Sequence, residues 1–208
     1  CRGGMFTLEN QLSQNILDNN KKAVDEAVAI HAECLVMVVG GLKPNSKDLI
    51  GSRKQMEEGL FKTLEYARTV KMPIAIEPLH PMYAADRACV NTLKYALDIC
   101  DGMGAGIGIA VDVYHTWWDP ELKSQIKRAG KERLLAFHLC DWLMETKHFL
   151  LDRGMMGDGV IDISQIRKWM ESESFEMLYE VEIFSAENWW KLDPDEVIRI
   201  CIERLAVC

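Results

Sequence analysis

The sequence predicts an α/β fold built on a parallel sheet that is buried on both faces. Three observations lead there: helix-like and strand-like segments alternate along the chain, the strand-like segments are short apolar runs, and each run ends in polar residues. At 208 residues, with 49% hydrophobic and 27% charged side chains, the chain suits one well-filled core and is short for two. A single domain over 1–208 is the expectation.

The elements follow in order. Leu8 to Ala32 spaces Leu12, Ile16, Ala23, Ala27 and Ile30 at helical intervals and leads into the strand Cys34-Leu-Val-Met-Val-Val before Gly40-Gly41. A helix near Leu49 to Val70 precedes the strand Pro73-Ile-Ala-Ile-Glu-Pro-Leu, and a helix near Asp86 to Met103 precedes Gly106-Ile-Gly-Ile-Ala-Val-Asp-Val-Tyr-His. A helix near Pro120 to Ala129 leads to Leu134-Leu-Ala-Phe-His-Leu-Cys-Asp, followed by a glycine-rich loop through Asp152-Arg-Gly-Met-Met-Gly-Asp-Gly. The last unit is a helix from Ile163 to about Ser172, a strand Met177-Leu-Tyr-Glu-Val-Glu-Ile-Phe, and a helix from Pro194 to Ala206 capped by Asp193.

Residues 1–6 read as the end of a further strand, and a start at Cys1-Arg-Gly-Gly-Met-Phe suggests a piece of a longer protein. Five strands and a stub would suit an open doubly wound sheet. No Gly-rich phosphate fingerprint or P-loop follows any strand, however, and an eight-stranded (β/α)8 barrel lacking its first two strands fits better.

The formal net charge of −8, with no stripe of Lys and Arg, argues against nucleic acid as a partner. The longest apolar runs fall far short of the roughly 20 residues a bilayer span needs, so no membrane association is expected. Seven scattered cysteines without a C-x-x-C pair read as reduced thiols of a cytoplasmic protein.

In parallel α/β folds, ligands bind at the carboxyl ends of the strands. Four successive strands there each contribute one polar residue to an otherwise apolar run: Glu77, Asp112, His138 and Glu182. Three carboxylates and an imidazole in such a place repel one another and are costly to bury unless a cation joins them. The donor set suits one divalent metal ion, Mn²⁺, Zn²⁺, Co²⁺ or Mg²⁺, rather than a thiolate-preferring ion.

With these four residues in this order, the chain resembles the xylose isomerase-like barrel superfamily, which includes ketose 3-epimerases, inosose dehydratases and the endonuclease IV type of apurinic-site nuclease. The resemblance runs from end to end. It implies that Glu77, Asp112, His138 and Glu182 are metal ligands at the ends of barrel strands 5 to 8, that Glu77 and Glu182 are also the catalytic pair, and that the chain covers the end of strand 3 to helix 8. It also implies substrate contacts for His115, three residues after Asp112, and for Arg153, whose planar guanidinium suits oxygen ligands. His80, Trp142 and Asp141 lie near the same strand ends and join the candidate substrate-binding residues, with Trp117 and Trp118 as walls. Glu180, two residues before Glu182, is expected one layer deeper as a hydrogen-bonding support.

The activity expected from this resemblance is metal-dependent isomerisation or epimerisation of a ketose or polyol through an ene-diolate intermediate, with inosose-type dehydration as the alternative. A small sugar or polyol would be the partner, with self-association left open. A nuclease of this superfamily would need a His after the Asp-Arg pair, where this chain has Gly154. A non-catalytic fragment is the remaining reading, since a barrel without its first strands exposes sheet edges.

Overall fold

The computed structural model describes residues 4–208. Five strands, β1 (Leu35–Met37), β2 (Ile74–Ile76), β3 (Ile107–Asp112), β4 (Leu134–Leu139) and β5 (Tyr179–Val181), form one sheet in the order β1-β2-β3-β4-β5 with every neighbouring pair parallel. A doubly wound sheet reverses its strand order part-way. A strictly sequential parallel order is that of a barrel wall, here five strands of it.

Helices α1 (Gln14–Ala29), α2 (Leu49–Thr69), α3 (Leu93–Met103), α4 (Val113–Thr116), α5 (Leu122–Arg133), α6 (Ile163–Ser172) and α7 (Pro194–Leu205) occupy the connections. Local chemistry sets their starts: Ser13, Asp48, Thr92, Asp162 and Asp193 each accept from a first-turn amide. Capping also accounts for two departures from the sequence reading. The first helix begins at Gln14 rather than near Leu8, and the third begins at Leu93 rather than Asp86, after a loop whose Ala88, Cys89 and Val90 are buried.

The main core lies between sheet and helices and is filled by side chains such as Met37, Leu60, Leu64, Ile76, Ile109 and Phe137. On the opposite, barrel-facing side a second cluster holds Ala75, Ala110 and Ala136, with Cys34, Val36 and Leu135 packed against it. Side chains alternate along a strand, so Glu77, Asp112 and His138 stand on that inner side, each two residues beyond one of these alanines. The ladder continues to the site, with Glu77 N donating to Met37 O at 3.1 Å and Glu182 N to Leu139 O at 2.9 Å.

Of the stub expected at residues 1–6, Cys1 to Gly3 lie outside the described residues. Gly4 bridges Val38 in parallel and Phe6 N donates to Val39 O at 3.0 Å, as a strand remnant beside β1 would. Among the described residues six cysteines are free, and no helix is long and apolar enough to cross a membrane.

Candidate metal centre

Strand β3 ends at Asp112, because the Asp112 carboxylate turns back to accept from Tyr114 N at 2.7 Å and starts α4. This turn brings His115 over the end of the sheet, fully buried, with Nε2 3.6 Å from Asp112 Oδ2. Its Nδ1 accepts from His80 N at 3.2 Å, and its Nε2 lies 3.2 Å from Arg153 Nη2.

One ligand atom from each of Glu77, Asp112, His138 and Glu182 lies within 4.8 Å of the others. That is close to the span across a single ion bound at about 2.0–2.2 Å. Glu77, Asp112 and His138 are buried, while the Glu182 side chain is 35% exposed. His138 Nδ1 faces the carboxylates, 2.8 Å from Glu77 Oε1 and 3.9 Å from Glu182 Oε2. His138 Nε2 is buried without a partner among the described residues. The oxygen-rich donor set and the spacing of the four groups fit one hard or borderline divalent cation.

The electrostatics point the same way. Burial pulls the His138 imidazole down, but its bond to Glu77 and the surrounding carboxylates outweigh this and raise it to about 9. Glu182 is pushed up to about 7 by burial and by Asp112 and Glu77, against Arg153 and His138. Burial would raise Asp112 too, yet Arg153, His115 and His138 hold it at about 2. Without a metal, then, protons take the place of the cation.

This has a consequence for stability. A group raised in the folded state stabilises below its unfolded pKa and ceases to do so as pH rises through its folded value. For His138 the interval runs from 6.5 to about 9, and for Glu182 from 4.5 to about 7. The melting temperature of metal-free protein should therefore fall as pH rises from about 6.5 to 9, and saturating Mn²⁺ should flatten that fall because metal binding displaces the same protons. A melting temperature flat over this interval without metal would contradict the arrangement.

Arg153 is the cluster's built-in cation. It is 2% exposed, and Nη1 donates at 3.0 Å to both Asp112 Oδ2 and Glu182 Oε2. Its guanidinium lies 4.4 Å from the Tyr114 ring centroid and 5.0 Å from that of Phe184. The sequence reading named none of Tyr114, Phe184 or Cys140, whose Sγ is 3.7 Å from Arg153 Nη1. Strand alternation could have found two of them, because Cys140 and Phe184 sit two residues beyond His138 and Glu182.

Asp141 requires a correction, since its carboxylate is taken up by its own loop rather than turned to a substrate. Oδ1 accepts from Trp142 N at 2.8 Å and Ile161 N at 3.0 Å, and Oδ2 from Gly157 N at 3.0 Å and Gly159 N at 2.9 Å. Its backbone pairs both ways with Gly154 at 2.9 Å, so Asp141 fixes the glycine-rich loop that delivers Arg153. Any side chain at Gly159 would run into the Trp142 carbonyl and the Asp141 carboxylate.

A cavity of about 130 Å³ adjoins the cluster, lined by residues that include Glu77, Glu182, His115 and Arg153. His80 and Trp142, expected as substrate contacts, are not among the residues that line this cavity and pack with other aromatic rings. The His80 ring is 5.2 Å from that of Trp142 and 5.6 Å from that of Trp118, and Trp142 stacks on Tyr114 at 4.6 Å. Trp117 joins the same aromatic group, 5.9 Å from Trp142. Glu180 does lie one layer below Glu182, but it is exposed and has no bond to the four.

A profile of the family described as xylose isomerase-like TIM barrel matches residues 4–205. None of the curated proteins matches the sequence. Among solved structures, a protein of Sinorhizobium meliloti 1021 is 55% identical with a TM-score of 0.96, over 100% of this chain and 76% of that one. The IolI protein with a bound zinc atom is 20% identical with a TM-score of 0.81, over 98% and 72% of the two chains. D-psicose 3-epimerase in the presence of D-fructose is 14% identical with a TM-score of 0.76, over 100% and 74%. The last two likenesses show the fold alone.

Proposed function

Since the chain belongs to the xylose isomerase-like TIM-barrel family, we propose that it is a divalent-metal-dependent isomerase or epimerase of a ketose or polyol, with Glu77, Asp112, His138 and Glu182 holding the ion. The observation that carries this reading is that Glu77 and Glu182, from the ends of β2 and β5, line one cavity while sharing the His138 imidazole between them. The bound ion would supply Lewis acidity, making a C–H beside a substrate carbonyl easier to ionise.

The chain's own residues then handle the proton. Glu182, which lines the cavity, is the carboxylate we assign to take a proton from carbon and to give it back. Glu77 Oε1, bonded to the His138 imidazole, is the second carboxylate in reach of the same cavity. The Arg153 guanidinium, with His115 beside it, supplies donors for oxygens on which negative charge develops as an ene-diolate forms. Return of the proton to the opposite face of the same carbon gives an epimer, and return to the neighbouring carbon gives an aldose–ketose pair.

The test is solvent exchange. In D₂O with Mn²⁺, the parent protein should carry deuterium from solvent into at least one member of a panel of ketohexoses and ketopentoses, read by proton NMR. Glu182→Gln should slow this by about 10²–10⁴-fold. Uptake undiminished in the variant, or none from any ketose by the loaded parent, would remove the reading.

A further inference from the structure

The same cavity is also lined by Tyr83 and Arg87, hydrogen-bond donors that the chemistry above does not use. Tyr83 is 8% exposed, and its hydroxyl has no partner among the described residues. Arg87 lines the same cavity with its side chain 43% exposed. Its one ion pair among the described residues, at 3.8 Å to its exposed neighbour Asp86, is of a kind worth little in water.

These groups are held in place. Tyr83 closes a 3-10 turn over Pro81–Tyr83, and its carbonyl accepts from both Arg87 N and Ala88 N at 3.0 Å. The Arg87 guanidinium stands 5.6 Å from the Tyr83 ring centroid. An unsatisfied buried hydroxyl is costly, so a ligand acceptor that reaches it would be favoured. Burial raises the Tyr83 phenol, which keeps it a protonated donor at neutral pH. A neutral hydroxyl on a ligand could meet Tyr83 alone. A guanidinium fork beside it is matched by an anionic group with several acceptor oxygens.

We infer that Tyr83 and Arg87 form the specificity wall of this cavity, and that the substrate presents to them an anionic oxygen group, a carboxylate or a phosphate. This rests on the function proposed above and adds the class of its substrate. The chain's net charge of −8 disfavours general attraction of anions, so a preference for them has to be local.

The experiment is isothermal titration of the Mn²⁺-loaded protein with D-fructose, 5-keto-D-gluconate and D-fructose 6-phosphate, a neutral ketose, a carboxylate and a phosphate. At least one acid should bind about tenfold or more tightly than D-fructose, and which one does so distinguishes carboxylate from phosphate. Arg87→Gln should erase that preference and Arg87→Lys restore part of it, with D-fructose and Mn²⁺ affinities unchanged. Tyr83→Phe should weaken the preferred acid severalfold, again without moving Mn²⁺ affinity. D-fructose binding as tightly as both acids, binding by neither acid, or a preference that survives Arg87→Gln would overturn the inference. A parent that takes no Mn²⁺ yet keeps an Arg87-dependent preference for an acid would overturn the metal reading and support this one.

Discussion

Asp112→Ala should cost the metal-free protein about 3–5 kcal/mol of stability, read by urea denaturation. Asp112 is fully buried, accepts from Tyr114 N at 2.7 Å, and is the carboxylate against which Arg153 Nη1 rests at 3.0 Å. Removing it leaves Arg153, 2% exposed, with half of its paired charge missing in a place that water reaches poorly. It also uncaps α4, which carries His115. Asp112→Asn keeps an acceptor for Tyr114 N and should lose less. An Ala variant as stable as the parent would mean that the buried ion pair does not form.

Arg153→Met should also destabilise the metal-free protein, by a similar 3–5 kcal/mol, but with a different signature. The variant keeps the three carboxylates and loses the cation that bridges two of them, so Asp112, Glu182 and Glu77 repel one another with only His138 between them. A divalent ion then meets the need that Arg153 met. Saturating Mn²⁺ should raise the melting temperature of Arg153→Met by more than it raises that of the parent. Equal shifts in the two proteins would place Arg153 outside the electrostatics of the cluster.

Much of this site was legible in the sequence because strands impose a rule on side chains. Glu77, Asp112, His138 and Glu182 each interrupt an apolar run at a strand's carboxyl end, and a parallel sheet brings such ends together whatever the loops do. The sequential strand order follows from alternating helices and strands in the same way. Loop geometry obeys no such period. Asp141 was read as a substrate contact because it follows β4, and nothing in its spacing says that Gly157, Gly159 and Ile161 fold back onto its carboxylate. Arg87 drew no notice because the segment from Asp86 was read as helix, whereas Thr92 delays that helix to Leu93, and Tyr83 lies just before it in the proline-flanked loop after Glu77, whose direction the sequence does not assign. The inward course of Arg153 became visible only once the glycine-rich loop was placed.

The most direct test of the four-residue centre is the metal content of purified, dialysed protein beside its Glu182→Gln variant, measured by inductively coupled plasma mass spectrometry. About one divalent ion per chain in the parent, clearly reduced in the variant, is the expected result for a four-donor site. A folded parent that retains no metal, even after Mn²⁺ or Zn²⁺ is supplied, would contradict it.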